Sequence, residues 1–127
     1  MMDKLRVLLV DDEEELVFTL AERLKIRGVD AQAVTSGKAA LEAIEQRSFD
    51  VVLLDVKMPG LGGLDVMRRI KSKDRKVQVI LITGHGSAED GAQGMQSGAF
   101  DYVMKPININ DLLTRLQAAG QATREGR

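Results

Sequence analysis

The chain lacks cysteine and tryptophan, and its 127 residues include one tyrosine, three phenylalanines and one histidine. The absence of cysteine excludes disulfides and thiol catalysis, and it fits a reducing compartment such as the cytoplasm. So few aromatic side chains argue against a surface on which nucleic-acid bases stack. The lone His85 has no second imidazole or thiolate to support a zinc-type site, so its position predicts an exposed loop residue.

Long hydrophobic runs are also absent, because the apolar stretches are much shorter than the ~18 residues that span a membrane. The amino-terminal residues do not form a signal-peptide pattern. A formal net charge of −1 gives no general attraction to nucleic acid or acidic membranes. Together with the length, these features predict one cytoplasmic domain without direct contact to membrane or nucleic acid.

One stretch in the middle of the chain predicts the central strand of the fold. Val51 to Leu54 are consecutive apolar residues, half of them β-branched, which is typical of a central strand buried on both faces of a parallel sheet. Asp55 follows directly, and Pro59 and Gly60 begin a loop. Ligands of open parallel sheets bind beyond the carboxyl ends of the strands, so Asp55 is placed for chemistry.

Short apolar runs alternate with helical patterns along the rest of the chain. Five strands and five helices in this order predict an α/β fold, a doubly wound parallel sheet covered by helices on both faces. Ser36 and Asn108 are predicted helix N-caps. Gly91 and Gly94 lie inside the fourth helix, which we expect to be the least stable, since each glycine costs roughly 1 kcal/mol relative to alanine. From Gly120 onward we expect the chain to fray.

Polar and charged residues stand where four of the predicted strands end. They are Asp11, Asp12, Asp55, Thr83 and Lys105. Three converging carboxylates would repel one another unless a cation lies among them, and Mg²⁺ prefers carboxylates combined with water and phosphate oxygens. Lysine and threonine can bind phosphoryl oxygens. These are the parts of a site that transfers a phosphoryl group onto an aspartate.

The chain closely resembles the receiver domain of two-component response regulators, of the chemotaxis-regulator type. The resemblance runs from about Leu5 to Leu116. It rests on four motifs in order, which are Leu9–Glu13, Leu54–Gly60 with Gly63, Ile82–Gly84 and Tyr102–Pro106.

The resemblance implies a flavodoxin-like three-layer fold with strand order 2-1-3-4-5. It also implies a receiver domain over residues 1–120 and a flexible tail or the start of a linker over residues 121–127.

The resemblance implies that Asp55 accepts a phosphoryl group from a sensor histidine kinase or a histidine phosphotransfer protein. Mg²⁺, with Mn²⁺ as a substitute, would be bound by Asp12 directly, by Asp11 largely through water, by Asp55 and by the backbone carbonyl of Lys57. Such a receiver catalyses only its own phosphorylation and dephosphorylation.

Further residues take their roles from the same resemblance. Lys105, Thr83 and Gly84 would bind the phosphoryl group, and the Lys105–Pro106 bond is expected to be cis. Thr83 and Tyr102 would form a switch that alters the fourth helix, the fifth strand and the last helix. This face would control a downstream protein, a covalent effector domain or a homodimer.

Two positions depart from the usual pattern, since Lys57 and His85 stand two residues after Asp55 and Thr83. We expect both side chains to overhang the site and to tune the rate at which water reaches the acyl phosphate.

Two other functions are compatible with parts of the pattern. An aspartate-nucleophile phosphatase also uses a strand-end aspartate with Mg²⁺, but it requires a second acid where this chain has Lys57. A flavin-binding module would require a phosphate loop after the first strand, where acids would repel the phosphate. The acids from Asp11 to Glu13 can also be interpreted, in isolation, as a helix first turn favoured by the dipole.

Overall fold

A computed structural model of the chain describes residues 3–84 and 88–127. Within them, five strands alternate with five helices. In chain order they are β1 (Arg6–Val10), α1 (Glu14–Ile26), β2 (Asp30–Val34), α2 (Gly37–Gln46), β3 (Val51–Asp55), α3 (Gly63–Lys73), β4 (Gln78–Thr83), α4 (Ala88–Gln96), β5 (Asp101–Met104) and α5 (Ile109–Glu125).

The strands form one parallel sheet in the order β2-β1-β3-β4-β5. β3 lies in the centre, and all five of its residues are buried. This confirms the interpretation of the apolar run as a central strand, because only a strand covered on both faces has no solvent side.

Helices cover both faces of the sheet, so that alternate strand residues enter two separate cores. Leu9 and Leu53 pack on one face with residues of α1 and α5. Leu8 and Leu54 pack on the other face with residues of α2 and α3. The structure therefore has the predicted three layers and the predicted flavodoxin-like strand order.

Both predicted helix caps are present. Ser36 Oγ accepts a hydrogen bond from the backbone N–H of Ala39 at 3.1 Å, and Asn108 Oδ1 accepts one from Asp111 at 3.0 Å. Each bond satisfies an N–H group that has no partner within the helix.

The two glycines of α4 permit close packing against the sheet. A Cβ at Gly91 would lie 2.6 Å from the ring of Tyr102, and one at Gly94 would collide with Leu81 Cδ1. The sequence predicted a weak helix from these glycines. The structure adds that a side chain at either position would have to displace a strand residue.

The last helix continues beyond the point where fraying was expected. α5 ends at Glu125, and Ala119, Gly120 and Thr123 in its last turns are buried. Thr123 Oγ1 donates a hydrogen bond to the backbone carbonyl of Asp50 at 2.5 Å. These contacts attach the end of α5 to the sheet, which no local sequence pattern indicates. Among the described residues, no helix is long and apolar enough to cross a membrane.

Candidate functional site

The register of the sheet brings the predicted residues to one edge. Val10 pairs with Leu54, so Asp11, the residue after β1, lies level with Asp55, the last residue of β3. Asp55 pairs with Ile82, which places Thr83 one residue further along β4. The carboxyl ends of β1, β3 and β4 therefore deliver two acids and a hydroxyl to a single crevice.

Three carboxylates meet in this crevice. One oxygen from each of Asp11, Asp12 and Asp55 lies within 4.8 Å of the other two. Asp11 and Asp55 are buried, with 1% and 5% of their surface exposed, whereas Asp12 is exposed. Negative charges this close repel one another, and burial of Asp11 and Asp55 limits the hydration that would weaken the repulsion.

The crowding of the carboxylates affects the pKa of Asp55. Burial and the neighbouring charge of Asp11 raise its pKa from 3.8 to about 6. Two contacts oppose this rise: the backbone N–H of Lys57 donates to Asp55 Oδ1 at 3.1 Å, and Lys105 Nζ lies 3.8 Å from Oδ2. The carboxylate is thus held in a fixed orientation and is less stable as an anion than an exposed one.

Asp11 has one oxygen that the protein leaves without a hydrogen bond. Oδ1 accepts from the backbone N–H of Glu13 at 3.0 Å. Oδ2 is buried and, within residues 3–84 and 88–127, has no hydrogen-bond partner, although Lys105 Nζ lies 3.1 Å away as an ion pair. Buried polar atoms in folded proteins normally have partners. An orphaned oxygen among three carboxylates fits the oxygen ligands of Mg²⁺.

Within the described residues, Lys105 supplies a cation to the site and is shared among three acids. Its Nζ lies 2.5 Å from Glu13 Oε1, 3.1 Å from Asp11 Oδ2 and 3.8 Å from Asp55 Oδ2. Burial alone would lower the pKa of Lys105, but the hydrogen bond to Glu13 and the adjacent carboxylate of Asp11 raise it above its usual value. The ammonium is therefore charged throughout the physiological pH range.

The backbone positions Lys105 beside Thr83. The Lys105 N–H donates to the carbonyl of Thr83 at 2.9 Å, and the Lys105–Pro106 bond is cis, as predicted. The buried Thr83 hydroxyl donates to the carbonyl of Val103 at 3.4 Å. Gly84 follows Thr83 and is partly exposed.

Tyr102 lies on β5 and is partly buried, with its ring against the position of Gly91 on α4. The structure therefore joins the two proposed switch residues through β5, which also supplies the carbonyl that binds Thr83. Their roles as a switch stay predictions.

Lys57 and His85 are the two residues predicted to tune the rate at which water reaches the acyl phosphate, and the structure describes only the first. The side chain of Lys57 is 74% exposed, and its Nζ lies 3.5 Å from Asp90 Oδ2 at the start of α4. It thus links the loop after β3 to α4. His85 lies outside the described residues.

Two contact residues were not singled out from the sequence. Glu13 holds Lys105; in the sequence it ends the first motif and the acidic run after β1, and no role at the site was predicted for it. Asp90 holds Lys57, and it resembles any acid in a first helical turn.

A family model described as the response regulator receiver domain matches residues 7–117. The chain belongs to this family. The predicted family and fold are therefore confirmed.

The relatives of this receiver include longer regulatory proteins. It is 40% identical over 118 residues to YkoG of Bacillus subtilis strain 168, an uncharacterised transcriptional regulatory protein, covering 93% of this chain and 52% of YkoG. It is 40% identical over 112 residues to the sensory transduction protein RegX3 of Mycobacterium tuberculosis H37Rv, covering 88% and 49%. The chain thus spans about half the length of these relatives.

Solved structures agree with the fold. A response regulator receiver domain protein from Clostridium thermocellum superposes with a TM-score of 0.90 at 31% identity, covering 97% of this chain and 99% of that one. NtrX from Brucella abortus, determined in complex with ADP, gives a TM-score of 0.90 at 29% identity, covering 95% and 28%.

Proposed function

We propose that this receiver accepts a phosphoryl group on Asp55, in a Mg²⁺-dependent reaction, from a sensor histidine kinase or a histidine phosphotransfer protein. The observation that carries the proposal is the buried Asp55, oriented by the Lys57 N–H, beside the orphaned Asp11 Oδ2 and the ammonium of Lys105. Family membership gives the same expectation.

The residues that would hold Mg²⁺, or Mn²⁺ in its place, are Asp11, Asp12, Asp55 and the backbone carbonyl of Lys57. The cluster of three carboxylates and the orphaned oxygen support this assignment. A bound divalent cation would neutralise the repulsion among the carboxylates and the incoming phosphoryl oxygens.

The reacting group of the protein is the Asp55 carboxylate. One of its oxygens attacks phosphorus, a P–O bond forms, and the bond from phosphorus to the imidazole nitrogen of the donor breaks, leaving the electron pair on that nitrogen. The attacking group must be ionised. With a pKa of about 6, Asp55 is mostly a carboxylate near neutral pH.

Neighbouring groups orient and stabilise this step. The Lys57 N–H holds the carboxylate, and the Lys105 ammonium offers a charge to the phosphoryl oxygens. Thr83 and Gly84 lie next to Lys105 and would supply a hydroxyl and a backbone N–H. Burial of Asp55 limits access of water to the product.

We further propose that the phosphoryl group draws the Thr83 hydroxyl away from the Val103 carbonyl and that Tyr102 moves with it. The affected surface would be α4, β5 and α5, and it would control partner binding, dimerisation or an output domain. Residues 1–120 would form the receiver together with the packed end of α5, and the chain after α5 would lead toward a linker. That the chain spans half of its relatives supports an attached output segment. The family is generally not enzymatic. This supports the proposal that the receiver catalyses only its own phosphorylation and dephosphorylation.

Intact mass spectrometry after incubation with acetyl phosphate tests the function. We expect one phosphoryl adduct with Mg²⁺ and none with EDTA or in Asp55→Asn. Asp65→Asn is a matched control, because Asp65 is an exposed carboxylate on α3 whose contact is with Arg68, and it should still form the adduct.

A fast autophosphatase would escape this measurement, so beryllofluoride titration followed by ¹⁹F NMR is the second arm. Formation of a Mg²⁺-dependent complex in wild type but not in Asp55→Asn would support the proposal. The absence of both adduct and complex from a folded protein would overturn it.

A further inference from the structure

The ammonium of Lys105 is nearer to Glu13 than to the proposed phosphoacceptor. Nζ lies 2.5 Å from Glu13 Oε1 but 3.8 Å from Asp55 Oδ2. The first distance is that of a short charge-assisted hydrogen bond, and the second is longer than any hydrogen bond. In this state Lys105 therefore contacts Glu13 at the rim of the site and the buried Asp11 Oδ2 at 3.1 Å, and it is only electrostatically close to Asp55.

Glu13 lies outside the buried acid group. Its side chain is 62% exposed, whereas that of Lys105 is 22% exposed. Glu13 is the N-cap residue of α1, yet its side chain makes no capping hydrogen bond. The contact with Lys105 is the hydrogen bond that the structure gives to the Glu13 carboxylate.

Glu13 and a phosphoryl group on Asp55 would compete for Lys105. The phosphoryl group would bring three oxygens toward the same ammonium, and a shift of Lys105 toward them would lengthen its contact with Glu13. The contact with Glu13 would then weaken. Since that contact exists before the reaction, it stabilises the starting state relative to the product.

We propose that Glu13 is a positioning residue that holds Lys105 away from Asp55 in the unphosphorylated receiver and thereby slows phosphoryl uptake. The inference rests on the proposed phosphorylation of Asp55. Glu13 acts through Lys105 and touches no reacting atom. Because the two states differ in this contact, the same residue also weakens binding of any phosphoryl mimic that recruits Lys105.

Glu14 provides a matched comparison. It is the next residue, carries the same charge, lies in the first turn of α1 and is exposed. Glu13→Gln and Glu14→Gln therefore change the net charge and the helix dipole environment in nearly the same way. A difference between the two variants reports the contact with Lys105.

The first measurement is the initial rate of adduct formation with acetyl phosphate at Mg²⁺ concentrations that saturate each variant. Glu13→Gln should be faster than wild type by about two- to fivefold, the range that corresponds to a largely exposed ion pair. Glu14→Gln should match wild type. The beryllofluoride dissociation constant should fall by a similar factor in Glu13→Gln alone.

The second measurement is the ¹³Cε chemical shift of Lys105, which a purely structural role of Glu13 would not move selectively. It should differ between wild type and Glu13→Gln in the free proteins and coincide in their beryllofluoride complexes, since Lys105 has then left Glu13. Equal rates in Glu13→Gln and Glu14→Gln, or an unchanged Lys105 shift in the free protein, would overturn the inference alone. The absence of adduct and complex from all three proteins would overturn the proposed function as well.

Discussion

Asp50 and Asp55 are buried carboxylates at opposite ends of β3, and their surroundings shift their pKa values in opposite directions. Although burial opposes ionisation of Asp50, hydrogen bonds from Arg124 and Arg6 lower its pKa below the usual range. Burial and the charge of Asp11 raise the pKa of Asp55 to about 6. The protein itself thus stabilises the negative charge of Asp50 at the start of β3. The negative charge of Asp55 at the end of β3 is poorly stabilised, so a bound ligand can stabilise it.

Removal of the Asp55 charge should stabilise the fold at neutral pH. A carboxyl whose folded pKa is about 6, against 3.8 when unfolded, destabilises the folded state progressively as pH rises through that interval. Asp55→Asn should therefore raise the free energy of unfolding by up to about 3 kcal/mol near pH 7 and leave it unchanged below about pH 4. Urea unfolding in EDTA at both pH values measures this.

Asp65→Asn is the control for this experiment, because Asp65 is exposed. It should change the unfolding free energy by less than about 1 kcal/mol. A wild type that is as stable as Asp55→Asn near pH 7 would contradict the assignment of Asp55 as a strained anion.

Removal of the Asp50 charge should have the opposite effect. Asp50 is fully buried and accepts hydrogen bonds from the backbone N–H of Arg6 and the guanidinium of Arg124. Asp50→Asn places an amide donor among these donors and should lower the free energy of unfolding by about 1–3 kcal/mol near pH 7. Because the folded pKa is lowered, the wild-type advantage is present above the unfolded pKa and fades as pH falls below it.

Urea unfolding near pH 7 and near pH 3.5 checks both the size and the sign. Asp30→Asn, at the half-exposed carboxylate that binds Arg47, serves as the comparison and should have a smaller effect. An Asp50→Asn variant as stable as wild type near pH 7 would show that the arginines do not stabilise this charge.

The position of the site could be predicted from the sequence because it depends on short local patterns. Apolar runs that end in Asp11, Asp55, Thr83 and Lys105 place these residues at strand ends, and the parallel order of the sheet brings the strand ends together. Ser36 and Asn108 were recognisable as caps for the same reason, since a cap binds within its own first turn.

The contacts that join distant segments could not be predicted. Glu13 and Lys105 are far apart in the chain. Whether Lys105 Nζ lies closer to Glu13 or to Asp55 depends on ångström-scale distances in the folded site. The end of α5 is held by Thr123 and Arg124 through Asp50, so its local polarity was misleading. Propensity indicated a weak α4, but only the packed neighbours Leu81 and Tyr102 show why glycine lies there.

Gly63 should be intolerant of any side chain because it begins α3 directly against the backbone that follows Asp55. A Cβ there would collide with the carbonyl of Asp55 and lie 2.7 Å from Val56 Cα. Backbone cannot rotate aside as a side chain does, so Gly63→Ala should lower the free energy of unfolding by about 1–3 kcal/mol. Its displacement of Asp55 should also slow adduct formation with acetyl phosphate.

Gly62→Ala is the matched control, since a Cβ at Gly62 meets no atom within 4 Å and its φ is −68°. It should change stability by less than about 1 kcal/mol. Equal stability of the two alanine variants in urea would show that the loop after β3 relaxes freely around Gly63.

Lys57 should slow loss of the phosphoryl group from Asp55. Its side chain reaches from the loop after β3 to Asp90 on α4, whereas its backbone N–H holds Asp55. Alanine removes the side chain and keeps the N–H, so Lys57→Ala should shorten the acyl phosphate half-life by about two- to fivefold, a barrier change of less than about 1 kcal/mol. Asp90→Ala, which releases the lysine without removing it, should have a smaller effect in the same direction. The measurement is decay of the intact-mass adduct after acetyl phosphate is removed.

Because His85 is predicted to share this role, an unchanged half-life in a variant with both Lys57→Ala and His85→Ala would show that neither side chain controls access of water to the acyl phosphate.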